Sequence, residues 1–346
     1  MTCGSPTKIL EYNKQMIQNI TFVIPVYNEE ATLVLLQQGI MENVGEHPYR
    51  VLFIDDGSTD RSWEILCDLR KQHDMVDIIR LRRNFGKTNA LAAGFSLAKG
   101  DVIITMDADL QDDPKEIPAL LAKINEGYDV VCGWKKKRYD PWHKRIPSRL
   151  YNGWISYTFK LPLHDINSGF KAIRQEVAEQ LPLWSDMHRL IPVFAANLGY
   201  KVTEIPVRHH PRKHGQSKYG IERFFRGAMD AITATFLTRY GDAPGQYFGR
   251  MMLFYSSLVI FSLIVAVISG LVVPLLYSSA PHNEQLALTA IVLMLILVGL
   301  IIVSIGALGL GLGLLGELLL RYLPAPDPKR GIAEMYFGEK QTEGLE

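Results

Sequence analysis

The chain reads as an α/β domain on a mostly parallel sheet, followed by an interfacial helix and two transmembrane helices. Three observations lead there. Short apolar, β-branched runs alternate with helical patterns through the first part of the chain, the signature of strands joined by helical crossovers. Acidic or polar turns close several of those runs. Two stretches near the C-terminus, 251–280 and 286–316, contain no Asp, Glu, Lys or Arg.

Residues 1–19 are polar and lack the apolar region of a signal peptide, so they are expected to form an N-terminal extension. Strands are expected at 20–25 (ITFVIP), 51–54 (VLFI), 76–81, 102–106 (VIITM) and 130–132. Helices are expected between them, at 30–41, 62–72, 89–98 and 114–126. Such sheets bind ligands at the carboxyl ends of their strands, where Asp55-Asp56-Gly57-Ser58 and Asp107-Ala108-Asp109 fall. No Gly-x-Gly-x-x-Gly follows the first strand, which disfavours a dinucleotide fold. The α/β domain is assigned to 20–220.

Residues 221–247 form an amphipathic region. Ile221, Phe224, Phe225, Ala228, Ile232 and Phe236 recur at helical spacing, which suits a helix on the bilayer surface or one packed on the α/β domain. A two-helix transmembrane domain follows at 248–320, because each uncharged stretch exceeds the roughly 20 residues that a bilayer core requires. The tail is 321–346. Arg208, Arg212, Lys213, Lys218, Arg223, Arg226, Arg239 and Arg250 precede the first span, and Arg321, Lys329 and Arg330 follow the second; the connecting loop 277–285 has no Lys or Arg. The positive-inside rule therefore places the large domain and the C-terminus in the cytosol. Gly306, Gly309, Gly313 and Gly316 share one helical face and are expected to pack closely, against the first span or against another copy in a homo-oligomer.

Composition narrows the function. A net charge of +1 over 346 residues gives no reason to expect a nucleic-acid partner. Cys3, Cys67 and Cys132 have neither disulfide-framework nor metal-site spacing, which suits a reducing compartment. His164, His188, His209, His210 and His214 show no metal-ligand spacing, and no Ser-His-Asp arrangement stands out.

The chemistry concentrates at the strand ends. Asp107, Asp109 and Gln111 offer two carboxylates and an amide oxygen within five residues, a donor set for Mg2+ or Mn2+ that leaves positions open for phosphates. At Asp55 and Asp56 a carboxylate could accept hydrogen bonds from a ribose or base, while Ser58 or Asp60 caps the next helix. Residues 212–218 (RKHGQSK) suit a diphosphate or an anionic membrane surface. A second basic region runs through Lys135, Lys136, Lys137, Arg138, Lys144, Arg145 and Arg149, with Ser148 inside it.

Taken together, VIPVYNEE (23–30), IDDGSTD (54–60), NFGKTNALAAGF (84–95), MDADLQDDP (106–114), INSGFKAIR (166–174) and RKHGQSKYG (212–220) resemble the inverting glycosyltransferases of family two. More narrowly, they resemble the polyprenyl-phosphate glycosyltransferases, over residues 20–323. The resemblance implies a GT-A fold and a metal-dependent, inverting transfer of a hexose from a nucleotide-diphosphate sugar to a polyprenyl phosphate, in a bacterial inner membrane. It implies that Pro25, Tyr27, Glu29, Asp55 and Asp56 hold the nucleotide, with Ala108 and Ser168 also lining the substrate site. Asp107 meets the ribose or the metal, Asp109 and Gln111 ligate the ion, and Arg212 and Lys218 grip the diphosphate. Lys135, Lys144 and Ser148 face the lipid phosphate. Dolichyl-phosphate mannose synthases carry Arg where this chain has Lys135 and Lys144, and Lys cannot make the same bidentate contact. Glucose from UDP-glucose is the first expectation for the donor, with GDP-mannose and a modified arabinose as alternatives. A processive polysaccharide synthase would show Gln-x-x-Arg-Trp and more spans, and this chain has neither. An inactive membrane adaptor would have no use for Asp107, Asp109 and Gln111. A nucleotidyltransferase would need no membrane anchor.

Overall fold

The apolar run that opens the α/β domain becomes the strand on which the others are laid. The structure is a computed structural model; it describes residues 17–136, 142–211, 222–241, 243–276, 282–322 and 331–337. It divides into two units, Met1–Ala231 with Pro326–Glu346, and Ile232–Ala325.

In the first unit, β1 (Ile20–Val26) leads into α1 (Leu33–Asn43), β2 (Tyr49–Asp55), α2 (Ser62–Gln72), β3 (Val76–Leu81), α3 (Lys87–Leu97) and β4 (Val102–Thr105). A 3-10 turn, Pro114–Glu116, opens α4 (Ile117–Asn125), followed by β5 (Val130–Trp134), α5 (Trp142–Phe159), β6 (Lys171–Arg174), α6 (Gln175–Ala178), α7 (Ile191–Asn197) and β7 (Val202–Pro206). After α8 (Glu222–Tyr240), α9 (Pro244–Leu276) and α10 (His282–Tyr322), the chain supplies a last strand, β8 (Ile332–Tyr336). The sheet order is β7-β5-β6-β4-β1-β2-β3-β8. β1 pairs in parallel with β2 and β4, β2 with β3, and β5 with β7; β6 is antiparallel to β4 and β5, and β8 to β3.

Alternation along β1 divides the core into two layers. Phe22, Ile24 and Val26 meet Leu33, Leu36 and Ile40 of α1, Leu66 and Leu69 of α2, and Leu120 and Ile124 of α4. Val23 faces the other way with Leu52 and Ile54, against Ala90, Leu91 and Phe95 of α3. Both faces are covered, so the strands are apolar runs rather than alternating ones. Gly94 lets α3 lie directly on the sheet: a Cβ there would collide with Val23 and come within 3.0 Å of the Ile54 Cδ1.

The expected strands and helices are present, with shifts at their ends. Helix α1 begins at Leu33 rather than near residue 30 because the chain there is committed to the neighbouring turn. Asn28 has φ 55°, Glu30 N donates to Asp60 Oδ2 at 3.3 Å, and Arg61 N donates to Glu30 Oε2 at 3.0 Å. Sequence patterns gave no sign of β6, β7 or β8, which are short or lie at the sheet's margins. The tail strand β8 covers the edge of β3, with Ile332 buried and Arg82 N donating to Gly331 O at 2.9 Å.

In the second unit, Pro244–Val265 and Ala290–Gly316 are helical segments long and apolar enough to cross a membrane. At about 1.5 Å per residue they reach beyond the ~30 Å hydrocarbon core. Their side chains are largely exposed, for example Phe261, Ile264, Leu295 and Ile305, an arrangement stable in lipid and costly in water. The glycine face does not pack against the first span, the first of the two expected partners. A Cβ at Gly306, Gly309, Gly313 or Gly316 would meet nothing within 4 Å, whereas one at Gly311 would lie 3.6 Å from Phe248 of α9. Gly311 therefore lies on the side of α10 that turns to α9. The amphipathic region divides as well. Midway along α8, Asp230 is buried and accepts from Ser185 Oγ at 3.0 Å, so the helix packs on the α/β domain there. Further on, Phe236 meets Tyr247 at 5.1 Å and Phe248 at 5.9 Å between ring centroids.

Candidate active site

Parallel pairing brings the carboxyl ends of β1, β2, β4, β5 and β7 to one edge of the sheet. Because β6 runs the other way, its entry at Ser168 and Gly169 reaches the same edge. Pro25 lies beyond Val23, where the last β1–β4 pair forms, so its missing N–H costs no ladder bond on that side.

The edge begins with the pair of turns after β1 and β2. Asn28 N donates to Ser58 Oγ at 3.0 Å and Glu29 N to Ser62 Oγ at 2.9 Å, which fixes Tyr27–Glu29 against Gly57–Ser62. Asp55 is fully buried; it accepts from Ser58 N at 3.0 Å and faces Arg80 Nε at 3.4 Å. Burial pushes its carboxyl up, against the pull of Ser58 and Arg80. Asp56 accepts from Phe85 N at 2.7 Å and Gly86 N at 2.9 Å, and so ties the loop before α3 to the end of β2. Burial, with Asp55 alongside, raises Asp56 to about 6 although both amides favour its ionised form. Gly57, at φ +71°, packs against the Arg83–Asn84 backbone, where a Cβ would come within 2.6 Å.

The centre of the edge is the turn after β4. Asp107 is ion-paired with Lys87, the first residue of α3; their side chains keep 32% and 25% of their surface exposed. Burial alone would raise the Asp107 carboxyl, but Lys87 and then Lys135 hold it well below the usual carboxylate range. Its carboxylate lies over Gly169, where a Cβ would be 2.8 Å from Asp107 Oδ2. Asp109 is 5% exposed and accepts from Gln111 N at 3.1 Å, with Leu110 between them at φ 59°. The Gln111 side chain turns to the segment after β7: Nε2 donates to His210 O at 3.4 Å and lies 3.5 Å from His209 Nε2, while His210 N donates to Gln111 O at 2.8 Å. His210 is two residues short of Arg212 in the chain. Arg212 and Lys218 lie outside the described residues, as does the Lys144 side chain.

The last part of the edge follows β5. Lys135 keeps 14% of its side chain exposed and pairs with the buried Asp112 at 2.8 Å. Burial opposes its charge, but Asp112 and Asp107 more than offset that and push its pKa up. Ser148 is half-buried on α5, and Ser168 is buried beside β6. Along α5, Leu150, Trp154 and Tyr157 are exposed on one side of the helix, Tyr157 by 87%.

Of the residues expected at the site, Pro25, Tyr27, Glu29, Asp55, Asp56, Asp107, Ala108, Asp109, Gln111, Lys135 and Ser168 therefore share one edge of the sheet. The match to known proteins follows the same span. Residues 21–182 match the glycosyl transferase family 2 model. Over 306 residues, 87% of this chain and 88% of the relative, it is 35% identical to undecaprenyl-phosphate 4-deoxy-4-formamido-L-arabinose transferase of Edwardsiella ictaluri. The chain belongs to glycosyltransferase family 2. Within that family it is 36% identical to dodecaprenyl-phosphate galacturonate synthase of Rhizobium johnstonii over 242 residues, 67% of this chain and 71% of that relative. The expected likeness to polyprenyl-phosphate sugar transferases is thus confirmed. Among solved structures, glucosyl-3-phosphoglycerate synthase of Mycobacterium tuberculosis shares the fold at 18% identity and TM-score 0.50, covering 64% of this chain and 80% of that one.

Several residues at this family 2 site escaped sequence reasoning. Lys87 reaches Asp107, and its neighbour Thr88 bonds His188 Nδ1 through Oγ1 at 2.7 Å. Burial, then Lys87, pushes His188 well below its ordinary range, so the ring is neutral. Lys171 is buried in β6 and donates to Ser168 O, and burial lowers its ammonium. The signal for Lys87 was present: Gly-Lys-Thr opens the helix after a strand, where a cation stands beside the strand ends. His188 and Lys171 gave none, because their partners lie 100 residues away or in the backbone.

Proposed function

We propose that this family 2 glycosyltransferase moves a sugar from a nucleotide-diphosphate donor to a polyprenyl phosphate at the cytosolic membrane face. One observation carries the reading: acidic Asp107 and Asp109 and basic Lys87 and Lys135 meet at one sheet edge, in a chain that continues into two helices apolar enough to span a bilayer. The named relatives favour a uronic or modified-pentose donor over glucose, since galacturonate and formamido-arabinose are the sugars in their names.

A divalent cation, Mg2+ or Mn2+, fits the turn after β4. Among the described residues no group of three His, Cys, Asp and Glu converges. The protein would therefore supply one or two carboxylates from Asp107 and Asp109, the low protein-ligand count typical of ions that share a substrate's phosphates. When bound, such an ion would supply charge neutralisation to the diphosphate leaving group. Asp56, Tyr27 and Glu29 hold the nucleotide between the β1 and β2 turns, and the fully buried Asp55 supports them from behind by fixing Ser58. Arg212 and Lys218 are assigned to the diphosphate, on the segment that leaves the His210–Gln111 pairing.

The acceptor oxygen attacks the anomeric carbon in line and the configuration inverts. A phosphate monoester with a second pKa of about 6 is largely ionised at neutral pH, so it needs little help from a general base. His188, neutral and bonded to Thr88, is not required as one. Lys144 and Ser148 on α5 are assigned to the lipid phosphate. Lys135 already carries Asp112 and adds mainly its field. The exposed Leu150, Trp154 and Tyr157 suit a helix that meets the lipid at the bilayer interface. Catalysis then rests on positioning and fixed charge.

The test is to incubate membranes holding the chain with labelled UDP-galacturonate, a UDP-linked 4-formamido-arabinose, UDP-glucose and GDP-mannose. Label extractable into organic solvent is expected with one donor, and Asp109→Ala should lower it by roughly 100-fold or more. Label recovered only in a water-soluble polymer, or equal transfer by the Asp109→Ala variant in chelator, would sink the reading.

A further inference from the structure

The Lys87–Asp107 pair joins the two charges that matter most at this edge, and both are placed for other work. Lys87 is not alone in acting on Asp107, since the charges of Lys135 and Lys171 reach it too. Lys135 is bonded to Asp112 at 2.8 Å and Lys171 donates to Ser168 O, so each has a separate primary partner. Lys87 makes its ion pair with Asp107 itself. Its stem leaves the first residue of α3 and stays a quarter exposed, so the ammonium can swing away by rotamer changes without moving backbone. Asp107 has less freedom: its carboxylate rests on Gly169, and its shorter side chain follows the short strand β4.

A divalent ion arriving at Asp107 therefore meets a carboxylate already occupied by a cation. Two cations on one carboxylate oxygen repel each other strongly in a partly buried site. Lys87 must leave, and a leaving ammonium needs a new anion. The neutral His188 ring, bonded to Thr88, offers none. A nucleoside diphosphate entering the same edge does.

We propose that Lys87 is a stand-in cation on Asp107, a positioning residue that a metal ion displaces and that makes metal and donor binding cooperative. This inference rests on the donor and metal reading above. The exchange moves no electrons and breaks no covalent bond: one ion pair, Lys87–Asp107, is replaced by metal–Asp107 and Lys87–phosphate. Coupling is reciprocal, so nucleotide tightens metal binding by the same factor that metal tightens nucleotide binding.

The test measures Mn2+ binding to detergent-solubilised full-length chain by the loss of free-ion EPR signal, with Mn2+ alone and with UDP or GDP present. Wild type should bind Mn2+ weakly alone and about tenfold or more tightly with nucleotide. Lys87→Met should tighten binding of Mn2+ alone by about tenfold and flatten the effect of nucleotide. Lys87→Arg, which keeps the positive charge, should behave like wild type; this separates loss of charge from a folding defect. Asp107→Asn should weaken Mn2+ binding in every arm. Unchanged Mn2+ affinity in Lys87→Met, with wild type still coupled to nucleotide, overturns the inference and leaves the functional reading standing. Wild type that binds no Mn2+ with either nucleotide overturns both.

Discussion

At the scale of single residues, the site is a set of buried and half-buried charges, most of them held by one or two named partners. Asp56 gives a pH prediction. Its folded-state value of about 6 lies above the ordinary carboxylate value of about 4. The folded protein therefore holds this proton more tightly than the unfolded chain. The corresponding stability is fully present below about pH 4 and is lost as pH rises through about 6. Binding should run the opposite way, because a nucleotide donor group needs the carboxylate. Nucleotide affinity by calorimetry should be flat above about pH 7 and weaken below about 6, by at most tenfold per unit. A flat profile down to pH 5 would remove Asp56 from the nucleotide site. Lys135 gives a stability prediction. Asp112→Ala would leave its nearly buried ammonium without its bonded carboxylate, at a cost of about 3 kcal/mol, visible as a lower Tm. Asp112→Asn should cost less, because an amide oxygen can still accept.

At the scale of elements, the fold sets the site through close contacts between helix and sheet. Gly94 lets α3 press on Val23 and Ile54, and α3 carries Lys87 at its first position. Gly94→Ala should cost about 1–3 kcal/mol through overpacking and lower donor affinity by shifting Lys87, both measurable by thermal melts and nucleotide titration. The outer strand β8 closes the other end of the sheet. It pairs with β3, Glu334 lies 3.8 Å from Arg80, and Arg80 reaches Asp55. Arg70 also donates to Phe337 O at 2.7 Å. Ending the chain after residue 330 would leave the β3 edge unpaired, and such edges recruit other chains. The truncated protein should aggregate in size-exclusion chromatography and bind nucleotide more weakly. A monodisperse variant with unchanged affinity would show that β8 is dispensable.

At the scale of the whole molecule, the proposed topology makes a labelling prediction. The loop 277–285 lacks Lys and Arg, while basic residues crowd the flanks of both spans. A cysteine at Ser278 should react with a membrane-impermeant maleimide in intact cells. A cysteine at Gln341 should react only after permeabilisation. The reverse pattern would place the sheet on the wrong side for a cytosolic nucleotide sugar.

How much of this was readable in advance differs by kind of information. Periodicity and apolar runs gave β1 to β5 and their helices, because a strand buried on both faces must be apolar and local in sequence. The Asp107-Ala108-Asp109 turn was legible for the same reason: strand ends of a parallel sheet are where such a domain binds ligands. The lack of charge in two long stretches gave the apolar helices, since no aqueous helix of that length does without a polar face. Tertiary structure alone decided what those elements meet. Antiparallel β6 put Ser168 and Gly169 beside Asp107. β8 returned from beyond the second apolar helix to cover β3, and Lys87 was brought across the edge to the carboxylate expected to hold a metal. Those pairings join residues 20 to more than 250 positions apart, and no local pattern encodes a partner at that distance. They follow from strand order, which is settled by how the whole core packs.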